Sequence, residues 1–485
     1  MIYIQITLIV LCLIAVVSYF TNPFVRFSLI QDLSKVDEID NQLVLKKIRS
    51  VKLRYHLFWK HFSMLKSAWH IVGSRFGRRN RTRSSIVADI IKEIHEKRFD
   101  PKNMYLISGD HFSVLYPRSL GIFYHSILDP RTALNMDDWL NRQRIYLKTL
   151  AYALNVFSQS EELSTTIVPT TPNSVILLNI YATPSDTLYS LLYAFDQLLG
   201  SKSLEEIYPF KKSTPYKLAT TETTQDMLHE YRAILRRHYY TYKATVFDTE
   251  SGFIKKDILL SGTKDIVKKY GGFYDNVIFW KTTELAQKLG LIENDEAFLA
   301  VYKKRILAEY WREEGLFLED MSDEARDGNW YSSDWLIAFQ TGFLSVKNPK
   351  DRTYLNKAVS YIIENEIDQP FPIRYHNDFR KKRLHFPVNI GAPYYGSLVI
   401  WSHWGMEYIK LLIALSQYGK SEKYLTYAAK HLETYEFNIS RYRGYPEVYN
   451  RFGDFYTSFF YRSVRTTGWI ISYEQAYEML KAYDK

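Results

Sequence analysis

Hydrophobic positions along the chain recur mostly at spacings of three and four, the signature of helices that bury one face. The pattern predicts helices over 119–128, 137–157, 184–200, 222–244, 273–290, 294–312, 332–344, 351–367, 396–417, 421–435 and 468–482. Asp137 and Ser421 stand where N-caps belong, and Gly200, Gly290 and Gly419 where helices stop. Sustained period-two alternation is scarce. So many helices between residue 105 and residue 485 predict an all-α unit, either a solenoid or a closed ring of helical hairpins. No repeat of 30–50 residues recurs, which disfavours the solenoid.

Two further patterns precede that unit. Ile2 to Thr21 runs for 20 residues without a charge, enough as a helix to span roughly 30 Å of hydrocarbon. It predicts a transmembrane anchor over 1–24; a cleavable signal peptide is the competing reading, but neither a basic leading region nor a small-residue cleavage site is present. Val44, Ile48, Val51, Tyr55, Phe58, Phe62, Leu65, Trp69 and Val72 then form a helical stripe, with basic residues off it. This predicts, within a juxtamembrane segment over 25–104, a basic amphipathic helix on anionic lipid or on the main domain; a coiled coil through 44–72, and with it an oligomer, is the alternative.

Composition sharpens this picture in two places. With 485 residues, 46% hydrophobic and 24% charged, the chain is globular, not disordered or collagenous. The net charge of +10 is local. Residues 1–40 carry a balance of −2 and residues 41–104 a balance of +12, which leaves the remainder neutral. A nucleic-acid groove in the main domain is therefore not expected. By the positive-inside rule the same charges predict a single-pass cell-membrane protein whose main domain lies in the cytoplasm. Cys12, the only cysteine, falls in the anchor, so disulfides have no part in the fold. Sequons occur at Asn80 and Asn438.

Aromatic residues reach 16% of the chain, with 40 tyrosines, and the candidate chemistry lies among them. No HExxH, cysteine cluster or GxSxG occurs, so no metal and no organic cofactor are expected. What stands out are acids set among aromatics in glycine-bearing loops: Glu447 in GYPEVYN (444–450) and Asp275 in GGFYDNVIFW (271–280). Rings packed on a carboxylate raise its pKa by desolvation, and two carboxylates in unlike environments can divide acid and base roles. For Asp275 the competing reading is a helix-dipole partner in a first turn.

The segment YYGSLVIWSHWGMEYIKLLIALSQYG (394–419) followed by GYPEVYN resembles the last hairpins of the (α/α)6 glycosidases, a group including glucoamylases, trehalases and debranching enzymes. VLYPRSLGIFYH (114–125) is similar to their aromatic-Pro-Arg-Asp segment, and 269–291 to the helix start that carries their general acid. The resemblance spans 105–482 and implies an (α/α)6 toroid hydrolysing α-linked glucosides or a related oligo- or polysaccharide with inversion. It implies Glu447 as base, Asp275 as acid, Arg118 as a grip on the reacting sugar, and Trp401, Trp404, Tyr394 and Tyr395 as stacking surfaces. Tyr116, Tyr274, Tyr445 and Tyr449 are further candidates for the sugar site, and Asp334 and Asp265 are alternative acids in comparable positions. The chain departs from the family at Ser119, where an Asp should follow Arg118. That departure supports an alternative, a catalytically degenerate glycan-binding or scaffold protein on the same fold.

Overall fold

The computed structural model describes residues 26–30, 81–109, 112, 114–171, 174–179, 181, 183–200, 219–263, 267–377, 383, 391–419, 421–458 and 461–483. The expected anchor at 2–21, the stripe at 44–72 and Asp265 lie outside them. Among the described residues no helix is long and apolar enough to cross a membrane.

The principal helices are α1 (Val87–Arg98), α2 (Ser119–Ile122), α3 (Met136–Ser158), α4 (Thr187–Gly200), α5 (Ala219–Val246), α6 (Phe273–Lys288), α7 (Glu296–Tyr310), α8 (Ile337–Gln340, continuing a 3-10 turn at Ser333–Leu336), α9 (Pro349–Glu364), α10 (Ser402–Gly419), α11 (Glu422–Tyr442) and α12 (Ile470–Tyr483). Neighbour relations arrange them in two rings. Around the inner ring, α2 packs on α4, α4 on α6, α6 on α8, α8 on α10 and α10 on α12, while α12 returns to the Pro130–Thr132 turn just beyond α2. Outside them lie α3, α5, α7, α9, α11 and α1.

Burial follows this geometry. The first fifteen residues of α10, Ser402 to Ser416, are all buried, because an inner helix meets neighbours on every side. In α11 the buried positions Ala428, His431, Leu432, Tyr435, Asn438 and Ile439 form one stripe, as an outer helix requires. The sequon asparagine Asn438 is thus buried.

Several expectations change. Residues 87–98, which the sequence places in the juxtamembrane segment over 25–104, form α1, which packs on α11 in the outer ring. His95 of α1 reaches Glu474 of α12 at 2.7 Å and Asp138 of α3 at 3.5 Å, and Thr82 N–H donates to the Arg443 carbonyl. The helix expected at 119–128 stops at Ile122. The helix expected over 332–344 is a 3-10 turn running into one short α-turn. A three-stranded antiparallel sheet also appears, with β3 (Ser174–Asn179) between β1 (Arg26–Ile30) and β2 (Thr166–Thr171). The β-branched Thr166, Ile167 and Val168 of β2 and Val175 and Ile176 of β3 favour strands, which the helical periodicity elsewhere hides. At the caps, Asn135 rather than Asp137 caps α3, accepting from Asp138 N–H, and Ser421 precedes α11 without a side-chain cap bond.

All six inner segments begin at the same end of the ring. Arg118, Asp186, Gly272, Ser332 and Trp401 each immediately precede one of the first five, and the loop bearing Glu447 joins this end through a Tyr445–Thr466 bridge just ahead of α12. Helix N-termini carry partial positive charge, so this end of the ring is where carboxylates are best tolerated.

Candidate functional site

Glu447 is placed by a two-residue antiparallel ribbon in which Ile400 faces Tyr449 and Trp401 faces Val448. Its backbone is fixed at both ends. The amide donates to the Val464 carbonyl, and its own carbonyl accepts from Ser402 N–H at 3.1 Å and Ser402 Oγ at 2.8 Å. Its side chain is buried. Tyr395 donates to Oε1 at 2.7 Å and Tyr461 donates to Oε2. Burial pushes its pKa up, while the two tyrosine hydroxyls and the Arg118 charge pull it back only in part. Trp401 braces this group, its indole N–H donating to the Tyr395 carbonyl at 3.1 Å and its ring 5.0 Å from that of Tyr395.

Arg118 is half-buried ahead of α2, over the ring of Tyr116 at 5.4 Å. It donates to the Gly262 carbonyl. The next amide, Thr263 N–H, donates to Asp186 Oδ2 at 2.8 Å. One peptide thus holds the guanidinium on its oxygen side and the Asp186 carboxylate on its nitrogen side. Tyr274 donates to the same Oδ2 at 2.9 Å, and Thr263 Oγ1 donates to Tyr274 at 2.5 Å. The Tyr274 ring lies 6.5 Å from that of Trp404. Glu447, Arg118, Asp186, Tyr274, Tyr395, Trp401 and Trp404 therefore form a continuous set.

The other candidates separate. Asp275 is buried in the first turn of α6, and its charge bears on Tyr242 and Tyr302 of the outer helices, on Tyr310 and on Tyr274. Asp334 is held by buried Lys269 at 2.5 Å, by Tyr375 at 3.1 Å and, through Oδ1, by Ser332 at 2.8 Å. Lys269 also reaches Glu319 at 3.2 Å. Burial lowers the Lys269 pKa, but Asp334, Tyr375 and Glu319 outweigh it and hold the lysine charged. Asp334 is accordingly half of a buried ion pair. Tyr445 and Tyr449 pack in the core, 6.4 and 6.1 Å from the ring of Tyr435. Tyr394, next to Tyr395, is 43% exposed with a left-handed backbone (φ 69°). Ser119 is buried, and among the described residues its hydroxyl has no hydrogen-bond partner.

Sequence reasoning missed Asp186 and Tyr461. The Ser-Asp-Thr before α4 looks like a cap; the spacing between Tyr461 and Glu447 follows no helical or strand period. Among the described residues no three His, Cys, Asp or Glu side chains gather as a metal site.

No protein-family model matches the chain, and no curated protein matches it. Solved structures do. A rhamnosidase from Klebsiella oxytoca with rhamnose bound is 11% identical, with 80% of this chain and 63% of that one aligned at a TM-score of 0.46. A GH63 mannosylglycerate hydrolase from Thermus thermophilus is 9% identical, over 81% and 100%, at 0.47. Cellobiose 2-epimerase from Bacillus thermoamylovorans is 10% identical, over 81% and 98%, at 0.48. This chain thus spans less than two thirds of the rhamnosidase. At such identities the activity has to be argued from this chain's own side chains.

Proposed function

We propose that the protein is a glycoside hydrolase that inverts configuration, acting on α-linked glucosides or a related glycan, with the apolar run from Ile2 to Thr21 holding it at a membrane. The observation that carries this reading is the buried Glu447 carboxylate, gripped by Tyr395 and Tyr461 within electrostatic reach of Arg118. A base works best with a pKa near the working pH, and burial moves Glu447 in that direction. Each of its oxygens has two lone pairs, so one on each is left for a water after the tyrosine bond. Arg118 would bind hydroxyls of the reacting sugar, while Tyr395, Trp401 and Trp404 supply its aromatic walls.

The partner carboxylate is Asp186 or Asp275. Asp186 is favoured by its link to Arg118 through the Gly262–Thr263 peptide; the charge of Asp275 bears chiefly on tyrosines outside that set. Leaving-group dependence separates them. A glycosyl fluoride needs little protonation to depart, so removing the general acid should spare fluoride hydrolysis while abolishing that of an alkyl glycoside. Asp186→Asn is expected to show that split. If Asp275→Asn shows it instead, the acid is Asp275. Glu447→Gln should lower turnover on both substrates by about 10²–10⁴-fold; full activity would refute the base, and NMR of the first-formed anomer showing retention would refute inversion.

Ser119 motivates a second reading, a glycan-binding protein without turnover. Saturable oligosaccharide binding with no hydrolysis, unchanged in Asp186→Asn and Asp275→Asn, would establish it.

A further inference from the structure

The ribbon that carries Glu447 at one end borders a separate cleft at the other. Beyond Tyr449 the chain turns at Asn450, whose Oδ1 accepts from Phe452 N–H at 2.9 Å and Asp454 N–H at 3.0 Å while Gly453 takes φ 86°. A turn fixed in this way presents Phe452 to solvent at 69% exposure, with the Arg451 guanidinium 4.7 Å above its ring. Facing it are Arg374, bridged to Ile400 of the ribbon, and Glu366, in a left-handed conformation (φ 52°) after α9. With Gln369 and Tyr427 they line an open cleft of about 810 Å³, within the size range of small-ligand sites.

Its charges are unbalanced. Arg374 donates to the Glu366 backbone carbonyl, not to its carboxylate, and its Nε–H is buried without a partner among the described residues. Among those residues neither Arg374 nor Arg451 has an ion-pair partner; the nearby Asp454 is instead paired with Arg441 at 3.3 Å. Two guanidiniums against the single Glu366 carboxylate leave the cleft positive, in a domain whose sequence is otherwise neutral. Guanidinium forks bind carboxylate and phosphate oxygens, and the exposed Phe452 ring with the half-buried Tyr427 suits the apolar C–H face of a pyranose.

We propose that this cleft is a second ligand site, for a small ring compound bearing a carboxylate or phosphate, of the size of an acidic monosaccharide. The oxyanion sits between Arg374 and Arg451, and the ring lies against Phe452 and Tyr427. The site is independent of the chemistry at Glu447. Binding of glucuronate, glucose 6-phosphate and glucose to the full-length protein, followed by calorimetry, tests it. One or both acidic probes should saturate, and which one does identifies the oxyanion. Any binding of glucose, which lacks the oxyanion, should be unchanged by substitutions in the cleft. Arg451→Glu and Phe452→Ala, both at exposed positions, should weaken the acidic probe about tenfold or more with unchanged melting, whereas Glu447→Gln should leave its affinity intact. Saturation by neither acidic probe, glucose binding that the cleft variants weaken equally, loss of acidic-probe binding in Glu447→Gln, or undiminished acidic-probe binding in both cleft variants would each overturn the proposal.

Discussion

At the scale of single residues, Glu447 is poised by opposing effects. Burial favours its neutral form; the hydroxyls of Tyr395 and Tyr461 favour the carboxylate. Hydrogen bonds to charged groups are worth about 1.5–3 kcal/mol, and one pKa unit is about 1.4 kcal/mol. Tyr461→Phe should therefore raise the Glu447 pKa further, moving the acid limb of the kcat/KM profile up by about one pH unit. An unmoved limb would show that the limb reports another group. Glu447 was legible in the sequence because proline, glycine and tyrosines crowd it locally. Tyr461 was not, since its contact depends on how an irregular loop folds back onto the ribbon.

At the scale of elements, α10 approaches its neighbours too closely for any side chain at Gly405. A Cβ there would overlap the Tyr435 hydroxyl and lie 2.5 Å from the Pro372 carbonyl. Gly405→Ala should cost about 1–3 kcal/mol, read as a lower midpoint in urea with unchanged slope. An unchanged midpoint would mean that the neighbours yield easily. The long helices were readable because stripes such as that of α11 keep the 3.6-residue period. The inner helices show only as apolar runs, which mark no start. The segment over 396–417 opens not as helix but as the Ile400–Trp401 strand, since pairing with Val448–Tyr449 outweighs local helical preference. The sheet strand Ser174–Asn179 was hidden in the same way.

At the scale of the whole molecule, the double ring rests on a contact that no local pattern foretold. Buried His95 stands between Glu474 and Asp138, with Arg142 2.7 Å from Asp138. Burial alone would lower the His95 pKa, but Glu474 and Asp138 outweigh burial and the Arg142 charge and raise it. The folded-state value thus lies above the unfolded one. The stabilisation is complete below an unfolded-state pKa of about 6.5 and fades as pH rises through the folded value. Replacing His95 with Phe should flatten that decline in the urea midpoint above neutral pH; a parallel decline in both proteins would assign it elsewhere. A truncated protein beginning at residue 81, which loses only the edge strand β1, should fold, whereas one beginning at 105 should also lose α1 and uncover Glu474 and the stripe of α11 on which α1 packs. With that apolar surface open to water, this second form should melt far lower or aggregate.

That same contact joins side chains 379 residues apart in sequence. A chain emerging from the ribosome has α1 ready long before α12, which carries Glu474, has been made. Until then the wall has no closing partner and the apolar flanks of α11 and α1 face solvent. Ring closure is therefore a late, high-contact-order event, and premature termination before α12 should send the nascent protein to aggregation or to chaperones rather than to a stable, partly folded form.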